Sequence, residues 1–277
     1  MSVTKIKPLK HFSVTFLGTG SSVGIPREGH TDALCVAARK GGKSRRLRSA
    51  ALVECGSTQI LIDAGPDILE QLRSVRPDKL KAVLLTHGHS DAFGGIAKLD
   101  KWLHHRLSGV RFPVFTDEIT SKRLSLKLKN PKSLDFIPVK TLSRIHIGDF
   151  AIVPFPVEHS RDERYPTRGY FFGKSLAYAS DACEIPAASK ALLAGVSTFV
   201  LDGTMYFGRS MYSHLSIEQA IEAAYALKVS HLVLTQIGHS FRPHAEAQKT
   251  INAYLEKQNL RFPKRVTLAY DRLRLSF

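Results

Sequence analysis

Cysteine and long apolar runs are scarce in this sequence, and each scarcity excludes a class of protein. The 277 residues contain three cysteines, Cys35, Cys55 and Cys183, which are too few and too scattered for a disulfide framework. No apolar run approaches the roughly 20 residues that a membrane-spanning helix needs. The first eleven residues lack the apolar core of a secretory signal. We therefore predict a cytoplasmic protein without a membrane partner.

Acidic residues are also few in comparison with basic ones. The chain has 24 Asp and Glu against 40 Lys and Arg, which gives a formal net charge of +16. This excess favours an anionic partner, either a small phosphate-ester substrate or nucleic acid. A merely basic surface is the alternative, because no aromatic-rich RNA motif accompanies the charge. The basic segment Arg39–Arg48 cannot be placed relative to any site from sequence.

The remaining composition is that of an ordinary globular protein. Hydrophobic residues make up 43% and charged residues 23% of the chain. Because no internal repeat, low-complexity block or linker interrupts it, we predict a single domain over residues 1–277. The sequence does not determine the oligomeric state, and a homodimer stays open.

A short motif after an apolar, β-rich run provides two histidines and an aspartate. Ala82–Leu85 is followed by Thr-His-Gly-His-Ser-Asp, so that His87, His89 and Asp91 are spaced two residues apart. Residues two apart in extended chain point to the same side, and a strand running into a tight loop can aim all three at one point. Imidazole and carboxylate groups bind zinc and similar divalent ions. The alternative is a strand end with two solvated histidines.

This motif, with Gly94-Gly95 after it, resembles the metal loop of the metallo-β-lactamase superfamily. The strand followed by Gly-Thr-Gly-Ser-Ser at residues 18–22 is similar to the opening of the phosphodiesterase and tRNA 3′-processing branches of that superfamily, and a simple hairpin turn is the alternative. Motifs farther along the chain are similar to one branch, which contains the phosphodiesterases associated with carbon–phosphorus lyase and the pyrroloquinoline quinone biosynthesis protein B. The resemblance extends from about Phe12 to the C-terminus. It implies an α/β fold of four layers, αβ/βα, in which two mixed β-sheets carry helices on their outer faces.

The resemblance also implies roles for residues that lie far apart in the chain. The active-site metal would be bound by four residues, His87, His89, His159 and Asp181. Asp63, in Asp-Ala-Gly, would support the metal loop by hydrogen bonding, and a helix cap is the alternative. His214, in Ser-His-Leu-Ser, would lie over the scissile phosphate, and a solvated residue at a helix start is the alternative.

A second group of residues matches the position of a structural zinc in the same branch. The spacing of His30, Asp32 and Cys35 equals that of a Cys-x-Cys-x-x-Cys motif, and a tight turn would bring the three together. His239 would be the fourth ligand by resemblance. A carboxylate weakens the preference for zinc relative to thiolates. The alternative is a polar surface loop with one buried thiol.

Two positions, Ala92 and Gln236, depart from the family pattern. By resemblance, histidines at both positions would bind only a second active-site metal. We therefore predict one active-site ion, Zn²⁺ or else Mn²⁺ or Fe²⁺, together with one separate structural ion. Gln236 would then support the site by hydrogen bonding rather than by binding metal.

These expectations combine into a metal-dependent hydrolase. It would be a phosphodiesterase of small cyclic phosphates or nucleotides that acts through a metal-bound hydroxide. Asp91 would be the general base, and His214 would protonate the leaving group or stabilise the phosphorane. Two alternatives stay open. An RNA-processing, nuclease-like enzyme is supported by the net charge, and a non-hydrolytic, degenerate member is suggested by the missing histidines.

Overall fold

Two seven-stranded β-sheets face each other at the centre of the protein, whose computed structural model describes residues 11–160 and 164–277. Helices cover the outer face of each sheet. The predicted four-layer architecture is therefore confirmed. Residues 1–10, and positions 161–163 of the charged loop that follows His159, lie outside the described part of the chain.

Short strands and helices make up the described part of the chain. The strands are β1 (Ser13–Gly18), β2 (Ala50–Cys55), β3 (Thr58–Ile62), β4 (Leu80–Leu84), β5 (Phe112–Thr116), β6 (Leu134–Pro138), β7 (Ile145–Ile147), β8 (Phe150–Val157), β9 (Thr167–Phe171), β10 (Leu176–Ala179), β11 (Thr198–Asp202), β12 (His231–Thr235), β13 (Arg265–Leu268) and β14 (Arg274–Ser276). The helices are α1 (Ala33–Arg39), α2 (Ile68–Gln71), α3 (Ser90–Phe93), α4 (Ile96–Arg106), α5 (Glu118–Lys127), α6 (Ala187–Leu193), α7 (Ile217–Ala226) and α8 (His244–Gln258). Among the described residues, no helix has the length and apolar character to cross a membrane.

The two sheets repeat one pairing scheme. The first sheet has the order β14-β1-β2-β3-β4-β5-β6, antiparallel as far as β3 and parallel from β3 onward. The second has the order β13-β12-β11-β10-β9-β8-β7, parallel as far as β10 and antiparallel beyond it. The carboxyl ends of parallel strands meet at one edge of a sheet, which is where α/β folds bind ligands. The loops after β4, β10, β11 and β12 are therefore candidates to form a site.

Apolar side chains alternate along the strands and fill three cores. Along β2, Ala51 and Val53 pack between the two sheets with Tyr170 and Tyr178, whereas Leu52 packs against the helices on the other face. Helices α2 to α5 cover the first sheet, and α1, α6, α7 and α8 cover the second. Both faces of each sheet are thus buried, as expected for strands that are apolar on both sides.

One local expectation is corrected. The segment around Asp32 is the start of helix α1, not only a tight turn, because Asp32 caps the helix by accepting from the Cys35 N–H at 2.9 Å. The helix that follows Pro66 begins at Ile68 and passes into a 3-10 turn after Gln71. The two C-terminal strands lie in different sheets, since β13 joins the second sheet and β14 the first.

His231 and His244 make the stability of this fold depend on pH. Burial lowers the pKa of both imidazoles to about 4. Nearby cations also lower the two pKa values: Arg265 acts on His231, and Arg46 and Lys43 act on His244. The unfolded chain binds the same protons at about pH 6.5. The neutral rings therefore stabilise the fold above that pH, and their contribution is lost as the pH falls toward 4.

We predict that the free energy of unfolding in urea decreases by roughly 1 kcal/mol per histidine between about pH 7 and pH 5, a figure discounted for partial exposure. His231→Gln should flatten this dependence, because an amide replaces the ring that contacts Thr267 Oγ1 at 2.8 Å. His146→Gln, at an exposed position of β7, is the control. A variant at His231 that keeps the wild-type slope would contradict this assignment.

Candidate metal centre

The loop after β4 carries the histidine motif and packs against the end of β3. Asp91 lies in the first turn of helix α3, whereas the sequence predicted a tight loop for this part of the motif. The Ala64 N–H donates to the Ala92 carbonyl at 2.6 Å, and a side chain on Gly65 or Gly95 would collide with backbone of the opposite segment. The glycines therefore allow the end of β3 to hold the motif by direct backbone contact.

Three imidazoles converge at this point. The possible ligand atoms of His87, His89 and His159 all lie within 4.8 Å of one another, and His159 Nε2 is 3.3 Å from His89 Nδ1. His159 Nδ1 lies 2.8 Å from the Ser213 carbonyl, to which it must donate, so that Nε2 carries the lone pair. The His89 ring packs on Tyr165 with 4.1 Å between ring centroids. His159 and His89 are thus each held by a neighbour outside the cluster.

A hydrogen-bond chain that begins at Asp63 orients His87. Thr86 Oγ1 donates its only proton to Asp63 Oδ2 at 2.9 Å. The same oxygen therefore accepts a hydrogen bond from His87 Nδ1, which lies 2.9 Å away. His87 Nε2 therefore carries a lone pair, yet it is buried and has no hydrogen-bond partner among the described residues. Burial is the main reason that the pKa of His87 falls to about 3. A buried lone pair without a donor is what a metal ligand requires.

Gln236, after β12, links two carboxylates. Its Nε2 donates to Asp181 Oδ1 at 2.6 Å and to Asp91 Oδ2 at 3.3 Å. Since both neighbours are acceptors, the amide must present its N–H groups to them. Ser180 Oγ donates to the other oxygen of Asp181 at 2.7 Å. Gln236 has a φ of 60°, which is uncommon for a residue other than glycine and often marks a functional position.

His214 and Asp202 form a buried pair beside the imidazole cluster. Asp202, at the end of β11, accepts from His214 Nδ1 at 2.6 Å and from the Ala182 and Thr204 N–H groups at 3.1 and 2.8 Å. Burial acts to lower the pKa of His214, but the charge and hydrogen bond of Asp202 outweigh it and raise the pKa to about 9. His214 is therefore a cation at neutral pH, with protons on both ring nitrogens.

A cavity of about 610 Å³ opens onto these groups. Its wall includes His89, Asp91, His159, Asp181 and His214. A neighbouring cavity of about 730 Å³ shares His214 with it. The three kinds of group, imidazole cluster, carboxylates and histidine cation, are thus reached from one opening.

A second cluster lies outside this cavity. The possible ligand atoms of His30, Asp32, Cys35 and His239 lie within 4.8 Å of one another. Cys35 Sγ is 3.6 Å from His239 Nδ1, and His239 Nε2 is 2.8 Å from the Gly24 carbonyl oxygen. Asp32 Oδ1 caps α1 while its Oδ2 lies 3.6 Å from His30 Nδ1. The capping role of Asp32 is therefore compatible with a metal-binding role.

A model of the beta-lactamase superfamily domain matches residues 58–237. The chain belongs to the metallo-β-lactamase superfamily. It is 26% identical over 257 residues to coenzyme PQQ synthesis protein B of Methylobacterium sp. strain 4-46, and the match covers 83% of this chain and 84% of that protein. It is 29% identical over 235 residues to an octanoyltransferase of Porphyromonas gingivalis, covering 83% of this chain. The chain spans only 46% of that relative, whose name therefore describes a longer protein.

Solved structures of the superfamily share the fold over nearly the whole chain. A crystal structure described as a new diphosphatase from the PhnP family has a TM-score of 0.83 and 29% identity, covering 96% of this chain and 97% of its own. Zn²⁺-bound PqqB from Methylobacterium extorquens has a TM-score of 0.74 and 19% identity, covering 96% and 100%. The predicted superfamily and branch are confirmed.

The imidazole cluster of this superfamily member fits a divalent metal. Burial lowers the pKa of His87 and His89, so both rings are neutral and keep a lone pair at neutral pH. Asp181 Oδ1 lies 4.0 Å from His159 Nε2, and Asp91 Oδ1 lies 4.0 Å from His87 Nε2. Nitrogen and oxygen donors in this combination suit zinc, manganese or iron.

The structure brings together the predicted active-site residues, and their roles as ligands stay predictions. Asp63 contacts Thr86 instead of capping a helix, so the capping alternative is wrong. Sequence reasoning missed Thr86, Ser180 and Asp202. An aspartate that ends a buried strand, as in Leu-Asp-Gly-Thr, was the available indication of Asp202.

We predict that Thr86→Val lowers the affinity of the centre for zinc by roughly 10- to 100-fold, because it removes the hydroxyl that joins Asp63 to His87. Competition with a chromogenic chelator measures this affinity. Thr235→Val is a matched control, since the Thr235 hydroxyl is buried and has no partner in the described part of the chain. Equal affinities in the two variants would contradict the role of Thr86.

Proposed function

We propose that this protein is a metal-dependent phosphodiesterase that acts on small cyclic phosphates or nucleotides. One observation carries the proposal: the imidazole cluster, whose His87 Nε2 is buried and has no hydrogen-bond partner in the described part of the chain, opens through His89 and His159 onto the same cavity as the cationic His214. A divalent ion held by His87, His89, His159 and Asp181 would supply a Lewis acid and lower the pKa of water. The hydrolase fold and the related diphosphatase support a reaction at phosphorus.

Two side chains would move the protons of the reaction. Asp91 accepts the proton of the attacking water at Oδ1, because its Oδ2 already accepts from Gln236. His214 donates its Nε2 proton to the leaving oxygen. Asp202 holds the ring through Nδ1 and stabilises the cation before that transfer. The pair therefore acts as an oriented general acid.

The proposed reaction is tested with two substrates that differ in leaving group. An alkoxide leaving group needs a proton, whereas p-nitrophenolate leaves without one. We predict that His214→Asn lowers kcat for a 2′,3′-cyclic nucleotide by about 100-fold, with a much smaller loss for bis(p-nitrophenyl) phosphate. His105→Asn, at an exposed position of α4, is the control. Metal-loaded wild-type protein that hydrolyses neither substrate would refute the phosphodiesterase and favour a non-hydrolytic member.

We also propose one active-site ion rather than two. Ala92 offers no ligand atom, and the N–H groups of Gln236 are directed at the carboxylate oxygens that a second cation would need. An amide nitrogen with its protons cannot coordinate a cation. The separate cluster of His30, Asp32, Cys35 and His239 would hold one structural ion.

Elemental analysis of the purified protein tests the metal count. We predict two divalent ions per chain, one of which is lost in His87→Ala while the other is retained. The double variant Ala92→His, Gln236→His should gain one ion, because two imidazoles then join the two carboxylates. Three ions per wild-type chain would overturn the account of Ala92 and Gln236.

A nuclease acting on RNA is the second candidate, and the net charge of +16 favours it. Single-stranded RNA would then bind in an electrophoretic shift that weakens steeply with salt. A small anionic phosphate ester remains the partner that we propose first, because the groups described above converge on one cavity. A cytoplasmic location agrees with three free thiols, Cys35, Cys55 and Cys183, and a homodimer stays a prediction.

A further inference from the structure

Helix α5 presents two cations at the rim of the catalytic cavity. Arg123 forms part of the cavity wall. Lys127, one helical turn later, has its Nζ 4.9 Å from the centroid of the Phe93 ring, and Phe93 also forms part of the wall. Side chains four residues apart lie on the same face of a helix. The two positive charges therefore face the same side of the opening.

Arg123 is held in place by the metal loop itself. Its Nη1 donates to the Gly88 carbonyl at 3.1 Å, and its Nη2 donates to the Arg164 carbonyl at 3.3 Å. The guanidinium also lies over the Tyr165 ring, 4.5 Å from the centroid. Gly88 makes this approach possible, because a Cβ there would lie 2.9 Å from Arg123 Nη1. A guanidinium has five N–H groups, so this fixed fork keeps further donors for an anion.

Lys127 differs from the other lysine of the same helix. Lys122 Nζ is paired with Glu118 Oε1 at 2.8 Å on the solvent side. Lys127 is exposed, and among the described residues no carboxylate lies within ion-pair distance of it. Its charge is therefore not neutralised by α5 and is directed at the side of the cavity that Phe93 lines.

We propose that Arg123 and Lys127 form an anion-binding subsite for a second phosphate group of the substrate. The scissile phosphate lies at the imidazole cluster, and the next phosphate of the same molecule lies along α5. The substrate class is then a nucleoside diphosphate or a diester of diphosphate, in preference to an ester with a single phosphate. This inference rests on the proposed function, because it specifies the substrate of the same site.

Calorimetric titration of the purified, metal-containing protein with ADP and with AMP tests the subsite without requiring turnover. We expect ADP to bind about fivefold more tightly than AMP, since one exposed charge pair contributes up to about that factor. Lys127→Met should bring the ratio of the two dissociation constants close to one. Arg123→Lys should weaken ADP binding more than AMP binding, because the planar fork is lost.

Lys122→Met is the matched control, since it removes a lysine of the same helix that already has a carboxylate partner, and it should keep the wild-type ratio. The proposed subsite would be refuted if Lys127→Met left the ratio of the AMP and ADP dissociation constants unchanged, or if this ratio were near one in the wild-type protein. Hydrolysis of bis(p-nitrophenyl) phosphate, measured separately, reports on the proposed function. Failure of the subsite and failure of the phosphodiesterase are therefore distinguished.

Discussion

One carboxamide joins two carboxylates that come from opposite sheets. Asp91 follows β4 of the first sheet, Asp181 follows β10 of the second, and Gln236 donates a hydrogen bond to both. Two buried carboxylates this close repel each other, and a neutral amide relieves only part of that repulsion. The remaining negative charge still attracts a cation. The hydrogen bonds of Gln236 therefore connect the two sheets at the site and leave a negative charge that would attract a divalent ion.

Neutral and protonated histidines lie side by side at the cavity. Burial keeps His87 and His89 neutral, whereas Asp202 keeps His214 protonated. His214 is nevertheless a close neighbour of the imidazole cluster, because its ring lies 4.7 Å from the ring of His159. Environment, not residue type, makes this difference. In the function that we propose, the neutral rings would serve as ligands and the protonated ring would serve as a proton donor. The cations of α5 lie farther out, where an anionic substrate would enter.

The sequence was informative where the chemistry is local. Strand boundaries such as those of β2, β3 and β11 follow from short, continuous apolar runs and from the glycines next to these runs. The cap of α7 is visible as Ser216 three residues before Gln219, and both halves of that capping box form in the structure. The family motifs supplied the order of the site residues along the chain. The geometry of α3 was missed because four helical residues leave no periodic pattern.

Residue types, their order and their departures from the family pattern were therefore determined by the sequence alone, because they depend only on which side chains are present. Tertiary structure decided which atoms face one another. The Asp63–Thr86–His87 chain joins segments more than twenty residues apart, and Gln236 reaches Asp91 across 145 residues. No local pattern encodes such contacts, since the first arises when β3 pairs with β4 in one sheet and the second arises only when the two sheets pack face to face. The protonation of His214 has the same origin, because Asp202 is buried beside it only in the folded chain.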